Sequence, residues 1–182
     1  VGSGTTFDAN GQASIISGAV VIDNGGAYHA STSAQTFNGG LTLSGGTFSG
    51  STAPVYVNGD FNFTSGTFNA PSSNLDVIGN FTLAQGANFV KGGSVNFKGD
   101  LAINTAGQNL GIVVIGASPD TITLNSDLVA DSLTINSLDT LITNGYNLTI
   151  GSGGITIANG ATLNAAGSGT ITLGGGNWSN SG

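Results

Sequence analysis

The sequence predicts an all-β protein, a right-handed parallel β-helix (β-solenoid) of about nine coils with roughly 20 residues and three short strands each. Four similar segments that begin 20 residues apart are the first observation behind this prediction. In each segment apolar residues alternate with other residues, which is typical of a strand with one buried face. A repeat this short cannot enclose a core of its own, so successive coils have to stack to bury their apolar faces.

The repeat is strictest between about residues 39 and 104, and it contains three series of short strands. The first series comprises residues 39–43, 59–63, 79–83 and 99–103. The second comprises 46–48, 66–68 and 86–89, where the last copy has one inserted residue. The third comprises 55–57, 75–77 and 95–97. The strands are separated by Gly, Asn, Asp and Ser, which are the usual residues of turns.

The chain is predicted to be a single β-solenoid domain over residues 1–182, with three regions of different regularity. Residues 1–38 form irregular coils, residues 39–104 carry the strict repeat, and residues 105–182 form looser coils. The last region keeps short alternating strands, such as Leu133-Thr134-Ile135, but spaces them unevenly. No stretch has a helical hydrophobic period, and no Pro-rich linker interrupts the chain.

The first strand of each coil is predicted to supply the interior of the stack. The structural core residues are Phe61, Phe63, Phe81, Leu83, Leu101 and Ile103. A turn column precedes these strands, in which each glycine is followed by a polar residue or a second glycine. Its members are Gly39, Gly59, Gly79, Gly99, Asp60, Asn80 and Asp100. We expect positive φ at these glycines, and Asn80 keeps the two aspartate charges ~9.6 Å apart.

The composition excludes several classes of function. Only 6% of the residues are charged, the formal net charge is −7, and the only basic residues besides one histidine are Lys91 and Lys98. Such a chain has too few cations for nucleic acid or for anionic membranes, and no apolar run is long enough to span a bilayer. The absence of Cys rules out disulfides. Without Cys, Met or Arg, the composition suits a chain exposed to oxidation and proteases outside the cell.

Several segments of the chain resemble the repeats of giant bacterial surface proteins. The segments that carry this resemblance are residues 41–48, 59–71 and 169–182. The class includes filamentous-haemagglutinin-like adhesins and autotransporter passenger domains. The resemblance implies a parallel β-solenoid at the cell surface, acting as a stalk, a matrix fibre or an adhesin segment.

The sequence predicts no enzyme and no catalytic residue. A polysaccharide lyase would need a base and cations that this chain lacks. Glycoside hydrolysis needs only two carboxylates. The candidates are Asp60 and Asp100, or an outward-facing Asp76 with a neighbour. Turn aspartates that cap backbone amides are the favoured interpretation of these residues.

The sequence also predicts no metal site and no cofactor. His29 is the only histidine and is expected at the surface, so a histidine cluster is excluded. Oxygen ligands suit calcium, but the Gly-Gly-x-Gly-x-Asp repeat of calcium-binding β-rolls is absent. The densest acidic stretch contains Asp120, Asp127, Asp131 and Asp139.

Two binding functions are alternatives to a structural role. A carbohydrate-binding or carbohydrate-cleaving domain would use exposed aromatic residues, and the candidates are Tyr28, Tyr56, Tyr146 and Trp178. An ice-binding protein would use a flat array of outward threonines, such as Thr134, Thr149, Thr156 and Thr172. The equivalent positions of the middle coils break that array, because they are Thr42, Asn62, Thr82 and Ala102. Four asparagines fit the pattern for N-glycosylation, namely Asn62, Asn80, Asn147 and Asn177.

Both ends of the sequence read as interior repeats, without an evident cap, at residues 1–7 and 177–180. Open coil ends expose unpaired strand edges. The chain is therefore expected to be either a segment of a longer protein or a subunit that stacks end to end into a filament. A homo-oligomer of this kind is the expected partner, and a glycan or other surface ligand is a further possibility.

Overall fold

The computed structural model describes residues 1–116 and 119–181. These residues form 21 strands and no helix, and hence no helix that could cross a membrane. The prediction of an all-β solenoid built from about nine stacked parallel coils is confirmed. By its internal contacts the chain divides into unit 1 (Val1–Ser94) and unit 2 (Val95–Gly182). The prediction of a single domain stays a prediction.

Most of the strands have three or four residues, and four of them have eight to ten. The first eleven are β1 (Thr6–Asp8), β2 (Ser14–Ile16), β3 (Val20–Asp23), β4 (Ala27–His29), β5 (Gln35–Phe37), β6 (Leu41–Ser49), β7 (Val55–Val57), β8 (Phe61–Asn69), β9 (Asn74–Val77), β10 (Phe81–Leu83) and β11 (Ala87–Val90). The other ten are β12 (Ser94–Phe97), β13 (Leu101–Asn104), β14 (Ile112–Ile115), β15 (Thr121–Leu124), β16 (Leu128–Ile135), β17 (Thr140–Ile142), β18 (Leu148–Ile157), β19 (Thr162–Asn164), β20 (Ile171–Leu173) and β21 (Trp178–Asn180).

In unit 1 every strand pairs in parallel with its equivalent one coil away. One sheet runs β1-β4-β6-β8-β10, with β3 on β6 and β11 on β8, and the other runs β2-β5-β7-β9. Leu41 pairs with Phe61 and Phe61 pairs with Phe81. Residues that pair across these strands are therefore separated by one sequence repeat, so apolar residues lie above one another in successive coils.

Two of the three predicted strand segments merge in some coils. In unit 1, β6 runs through residues 41–43 and 46–48 as one bent strand, with a register shift at Ser44 and positive φ at Gly45. The same two segments stay apart as β10 and β11, where the sequence has its inserted residue. In unit 2 a different pair merges in β16, whose register shifts between Ala130 and Ser132. At these positions a β-bulge bends the chain between two segments of a coil, so the two segments form one continuous strand.

Unit 2 keeps the same parallel stacking despite its uneven sequence spacing. One sheet runs β13-β15-β17-β19 and the other includes β14-β16-β18-β20, with β21 paired to β18. Leu133 pairs with Ile155, and Ile155 pairs with Trp178. The turns between strands absorb the differences in coil length, so the buried positions remain in register.

The predicted core residues lie in the interior of their own units. Phe61, Phe63 and Phe81 of unit 1 are completely buried, and Leu83 is 1% exposed. In unit 2, Ile103 is completely buried and Leu101 is 6% exposed. Each sits on a strand whose exposure alternates, as the period of two requires.

An aromatic ladder in unit 1 was not predicted from the sequence. Its five rings are Phe7, Tyr28, Phe48, Phe68 and Phe89. Successive rings are stacked at centroid distances of 4.8, 5.3, 4.6 and 5.6 Å, with interplanar angles of 23° or less. These spacings follow from the ~4.8 Å separation of paired strands, which places identical positions of successive coils at ring-stacking distance.

The turn column needs glycine mainly because successive coils approach each other closely. Positive φ was expected throughout, and it occurs at Gly99 but not at Gly39, Gly59 or Gly79, so for these three the expectation was wrong. A Cβ on Gly59 would lie 2.7 Å from the Gly40 backbone nitrogen, and one on Gly79 would overlap the Gly59 carbonyl. The stacked backbones leave no room for a side chain.

Candidate functional site

The turn aspartates of the repeat are occupied in joining one coil to the next. Asp60 accepts a hydrogen bond from the backbone N–H of Asn80 at 2.9 Å in unit 1. Asp100 accepts one from the N–H of Thr121 at 2.7 Å in unit 2. Carboxylates that cap backbone amides in this way are structural groups. Each of the two carboxylates therefore makes the backbone-capping contact that the sequence predicts for a turn aspartate.

The third nominee for hydrolysis, Asp76, is not an accessible carboxylate. It lies in β9, in a different sheet from β8, which Asp60 immediately precedes. Asp76 is only 5% exposed, and Asn74 donates to its Oδ1 at 2.6 Å. The position alternates with the buried Leu75 and Val77, as expected for an outward residue, but the carboxylate itself is covered and hydrogen-bonded, so the expectation of an available group was wrong.

A polar ladder links three coils of unit 2 at the turn that precedes β16, β18 and β20. The carboxylate of Asp127 accepts from the Asn147 backbone N–H at 2.9 Å and from its Nδ2 at 3.1 Å. The side-chain oxygen of Asn147 in turn accepts from the Thr170 N–H at 2.9 Å and from its hydroxyl at 3.0 Å. The bond from the Asn147 backbone is the main cause that lowers the pKa of Asp127.

The aspartates of the densest acidic stretch take part in separate hydrogen bonds. Asp127 serves the polar ladder, and Asp131 accepts from Asn109 Nδ2 at 2.9 Å. Asp139 accepts from the Asp120 backbone N–H at 2.9 Å. Among the residues that the structure describes, no group of three or more His, Cys, Asp or Glu side chains is close enough to hold an ion. His29 is exposed on β4, at the surface position expected for it.

Of the four aromatic candidates for sugar binding, Tyr28 is buried and was wrongly assigned. It is 1% exposed, inside the aromatic ladder, and its hydroxyl donates to Gln35 Oε1 at 2.8 Å. Burial raises the pKa of the Tyr28 hydroxyl. Tyr56 is half-buried on β7, whereas Tyr146 and Trp178 of unit 2 are 36% and 47% exposed. Sequence alternation alone did not reveal that residue 28 points inward.

A buried polar cluster surrounds Gln35 in unit 1, and sequence reasoning missed it. Gln35 is completely buried, at the inward position that Val55 occupies one coil later. Its Nε2 donates to the carbonyl oxygens of Gln12 at 3.0 Å and Ser33 at 2.8 Å. Its Oε1 accepts from the hydroxyls of Ser14 and Tyr28. The sequence contained one indication of this cluster, because Gln35 occupies a strand position that is apolar in the following coil.

The outward threonines form short columns rather than one continuous array. Thr134 pairs with Thr156, and Thr149 pairs with Thr172, so the predicted positions are neighbours in unit 2. Another column, which was not predicted, is Thr121, Thr140 and Thr162. The interruptions expected in the middle coils are present as Thr42-Asn62-Thr82 in unit 1 and as Ala102 beside Thr123 in unit 2.

The four glycosylation candidates differ in accessibility. Asn80 and Asn177 are exposed, and Asn62 is half-buried on the outer face of β8. The side chain of Asn147 is engaged in the polar ladder. Only the first two therefore present an exposed side chain.

Comparisons with known proteins found no relative of this chain. No protein-family model, no curated protein and no solved structure matches it. The fold is therefore known from the structure itself, and the resemblance to bacterial adhesin repeats stays a prediction.

Proposed function

We propose that the chain is a structural β-solenoid of an extracellular bacterial surface protein, in which it acts as a stalk, a matrix fibre or an adhesin segment. The observation that supports this proposal best is the stacking of equivalent residues at successive coils within each unit. In unit 1 the aromatic ladder and the pairing of Leu41, Phe61 and Phe81 repeat the same contacts at each coil. Such repetition produces rigidity and length rather than a single reaction centre.

The polar groups support the same proposal. Asp60, Asp100 and Asp127 all accept hydrogen bonds from the next coil. Asp60 and Asp100, two of the three carboxylates considered for catalysis, therefore also link successive coils. A protein that bears mechanical force between the cell and its surroundings is stabilised by such hydrogen bonds between coils. It also has to lack flexible loops, because proteases cleave at such loops.

Resistance to proteolysis tests the mechanical proposal. The purified chain is incubated with thermolysin or proteinase K at neutral pH, and the fraction of intact protein is measured by mass spectrometry over days. Lysine-directed cleavage is informative as well, because only Lys91 and Lys98 are available to trypsin. We expect the folded chain to survive and the variant Phe81→Asp to be degraded. Rapid cleavage of the wild-type chain at many sites would contradict a structural role.

End-to-end association is the second part of the proposal. The outer strands β1 and β21 are exposed along their whole length, and Trp178 presents 47% of its surface. Such strand edges pair with further coils, supplied either by the same protein or by another copy. Light scattering over a hundredfold range of concentration, with negative-stain imaging, measures assembly. A particle that stays monomeric throughout rules out the filament.

Carbohydrate binding is the alternative, and the exposed rings of Tyr146 and Trp178 favour it. Sugar rings stack on exposed aromatic faces. The loss of Tyr28 from the candidate set weakens this alternative, since that ring is inside unit 1. A glycan array, together with an assay for released reducing ends, distinguishes binding, cleavage and neither. The absence of any hit favours the structural role.

Ice binding is a minor alternative, and the paired threonines of unit 2 favour it. Thr121, Thr140 and Thr162 lie in one column with the ~4.8 Å spacing of paired strands. An ice-recrystallisation assay measures this function directly. Replacing Thr140 by Val, with Thr67→Val in unit 1 as a control, would show whether this column carries any activity found.

A further inference from the structure

One ionisable group of unit 2 lies where a charge is unfavourable. Asp139 is completely buried, in the turn between β16 and β17. One carboxylate oxygen accepts from the Asp120 backbone N–H at 2.9 Å, whereas the other, Oδ2, has no hydrogen-bond partner among the described residues. A buried carboxylate with one unsatisfied oxygen is costly when ionised and much less so when protonated.

A second carboxylate increases this cost. Thr121 pairs with Thr140, so the residues that precede them, Asp120 and Asp139, are stacked one coil apart at ~4.8 Å. Asp120 is the charged group that acts on Asp139 across the coils. Gly116 lies against the same carboxylate, because a Cβ added at this position would overlap Oδ2.

Backbone hydrogen bonds hold the turn that contains Asp139. Its N–H donates to the Asn136 carbonyl at 3.2 Å, and its carbonyl accepts from the Thr162 N–H at 2.8 Å. The following residue, Thr140, donates to the Asp120 carbonyl at 2.8 Å. Hydrogen exchange at the Thr140 and Thr162 amides therefore reports the opening of this turn from its neighbouring coils.

We propose that Asp139 is an acid-responsive switch: protonated, it keeps the β16–β17 turn closed against Gly116, and ionised, it loosens that turn. The inference concerns the stability of unit 2 and does not depend on the proposed surface role. Its chemistry is a proton equilibrium with solvent. Burial, followed by the charge of Asp120, raises the pKa of Asp139 above the usual value of 3.8.

The sign of the pH dependence follows from this shift. Below pH 3.8 the carboxyl group is protonated in both the folded and the unfolded chain, so the stabilisation by the neutral form is fully present. As the pH rises from 3.8 through the higher pKa of the folded state, the unfolded chain releases its proton first and stability falls. Each pH unit between the two values lowers the ratio of folded to unfolded chain about tenfold.

The test follows Asp139 directly and through its neighbours, in the full chain. Carboxyl-carbon NMR measures the titration midpoint of Asp139, which the spectrum of Asp139→Asn identifies. Hydrogen exchange, corrected for the intrinsic effect of pH, measures opening at the Thr140 and Thr162 amides. We expect a midpoint above 3.8, and exchange that becomes faster as the pH rises from 3.8 to above that midpoint, in the wild type only. In Asp139→Asn the exchange should be insensitive to pH over this range.

Asp120→Asn is the second variant, and it keeps the proposal testable if Asp139→Asn does not fold. It retains the backbone N–H that donates a hydrogen bond to Asp139 but removes the neighbouring charge. The titration midpoint of Asp139 should therefore move down towards 3.8. A wild-type midpoint at or below 3.8 would overturn the switch, as would exchange that does not change with pH. Stabilisation by calcium at pH 7, lost in Asp139→Asn, would also overturn it by showing that the carboxylate is a ligand.

Discussion

At the residue scale, burial depends on what lies one coil above and one coil below. Phe68 is completely buried because Phe48 and Phe89 cover its two ring faces. Gly79 is required because the Gly59 backbone occupies the space of a side chain. Both residues are fixed by partners that are distant in sequence and equivalent in the repeat, so a change at one coil affects its two neighbours.

Truncating the aromatic ladder should be strongly destabilising. Phe68→Ala removes the middle of five stacked rings and leaves a cavity, so we expect a loss of ~3–5 kcal/mol in the free energy of unfolding. Phe81→Asp should unfold the stack, because it places a charge in the interior. Denaturant unfolding measures both changes. The outward Thr67→Ala, one residue before Phe68, is the control and should change stability by no more than ~0.5 kcal/mol.

Adding a methyl group to the turn column should separate two coils. Gly79→Ala forces the Gly59 carbonyl to move, and overpacking of this kind costs ~1–3 kcal/mol. Gly18→Ala is the matched control, because an added Cβ meets nothing within 4 Å there and its φ is not positive. Thermal unfolding compares the two variants. Equal melting temperatures would mean that the column tolerates side chains.

At the element scale, the strands are held by polar groups as well as by apolar burial. β5 differs from β7, its pairing partner, in placing Gln35 where β7 has Val55. β18 is tied to the coil before it through Asp127 and to the coil after it through Thr170. These side chains fix which strand pairs with which, since a slip of one residue would separate every donor from its acceptor.

Removing the amide of Gln35 should cost stability and loosen the register of the first coils. Gln35→Ala removes the buried hydrogen bonds of the amide, after which the Tyr28 and Ser14 hydroxyls retain their bond to each other and the Gln12 carbonyl retains the Ser31 hydroxyl. Each lost hydrogen bond contributes ~0.5–1.5 kcal/mol. Gln35→Glu is a second variant, which keeps the acceptor but loses the donor. Amide exchange of β2 and β5 is the measurement, and unchanged protection in Gln35→Ala would contradict the assignment.

Acid should weaken the polar ladder of unit 2. Because hydrogen bonds from Asn147 lower the pKa of Asp127 below its usual 3.8, its stabilisation is present above that value and is lost as the pH falls through the lower folded-state pKa. The expected effect is small, because the side chain is solvent-exposed. Melting temperatures between pH 2 and pH 4 measure it. Asp127→Asn should lose this pH dependence, whereas Asp139→Asn should lose a different one, above pH 3.8.

At the scale of the whole molecule, a repeat protein gains stability from each coil and its two neighbours. The proposed structural role belongs to this scale, since no single residue would carry it. A change at any interior position should therefore lower stability locally, whereas changes at outward positions such as Thr42 or Thr82 should have little effect. Hydrogen exchange along the chain would show whether units 1 and 2 open together or separately.

The sequence by itself determined that short strands stack in parallel with apolar residues inside. Apolar residues such as Phe61 and Phe81 recur at one spacing, and a strand period of two leaves one face for them to share. The tertiary structure decided which polar and aromatic groups enter the interior, namely Tyr28, Gln35 and Asp139. The physical reason is that their burial depends on neighbours from other coils, and the spacing of residues along the chain does not specify which side chains those coils place against them.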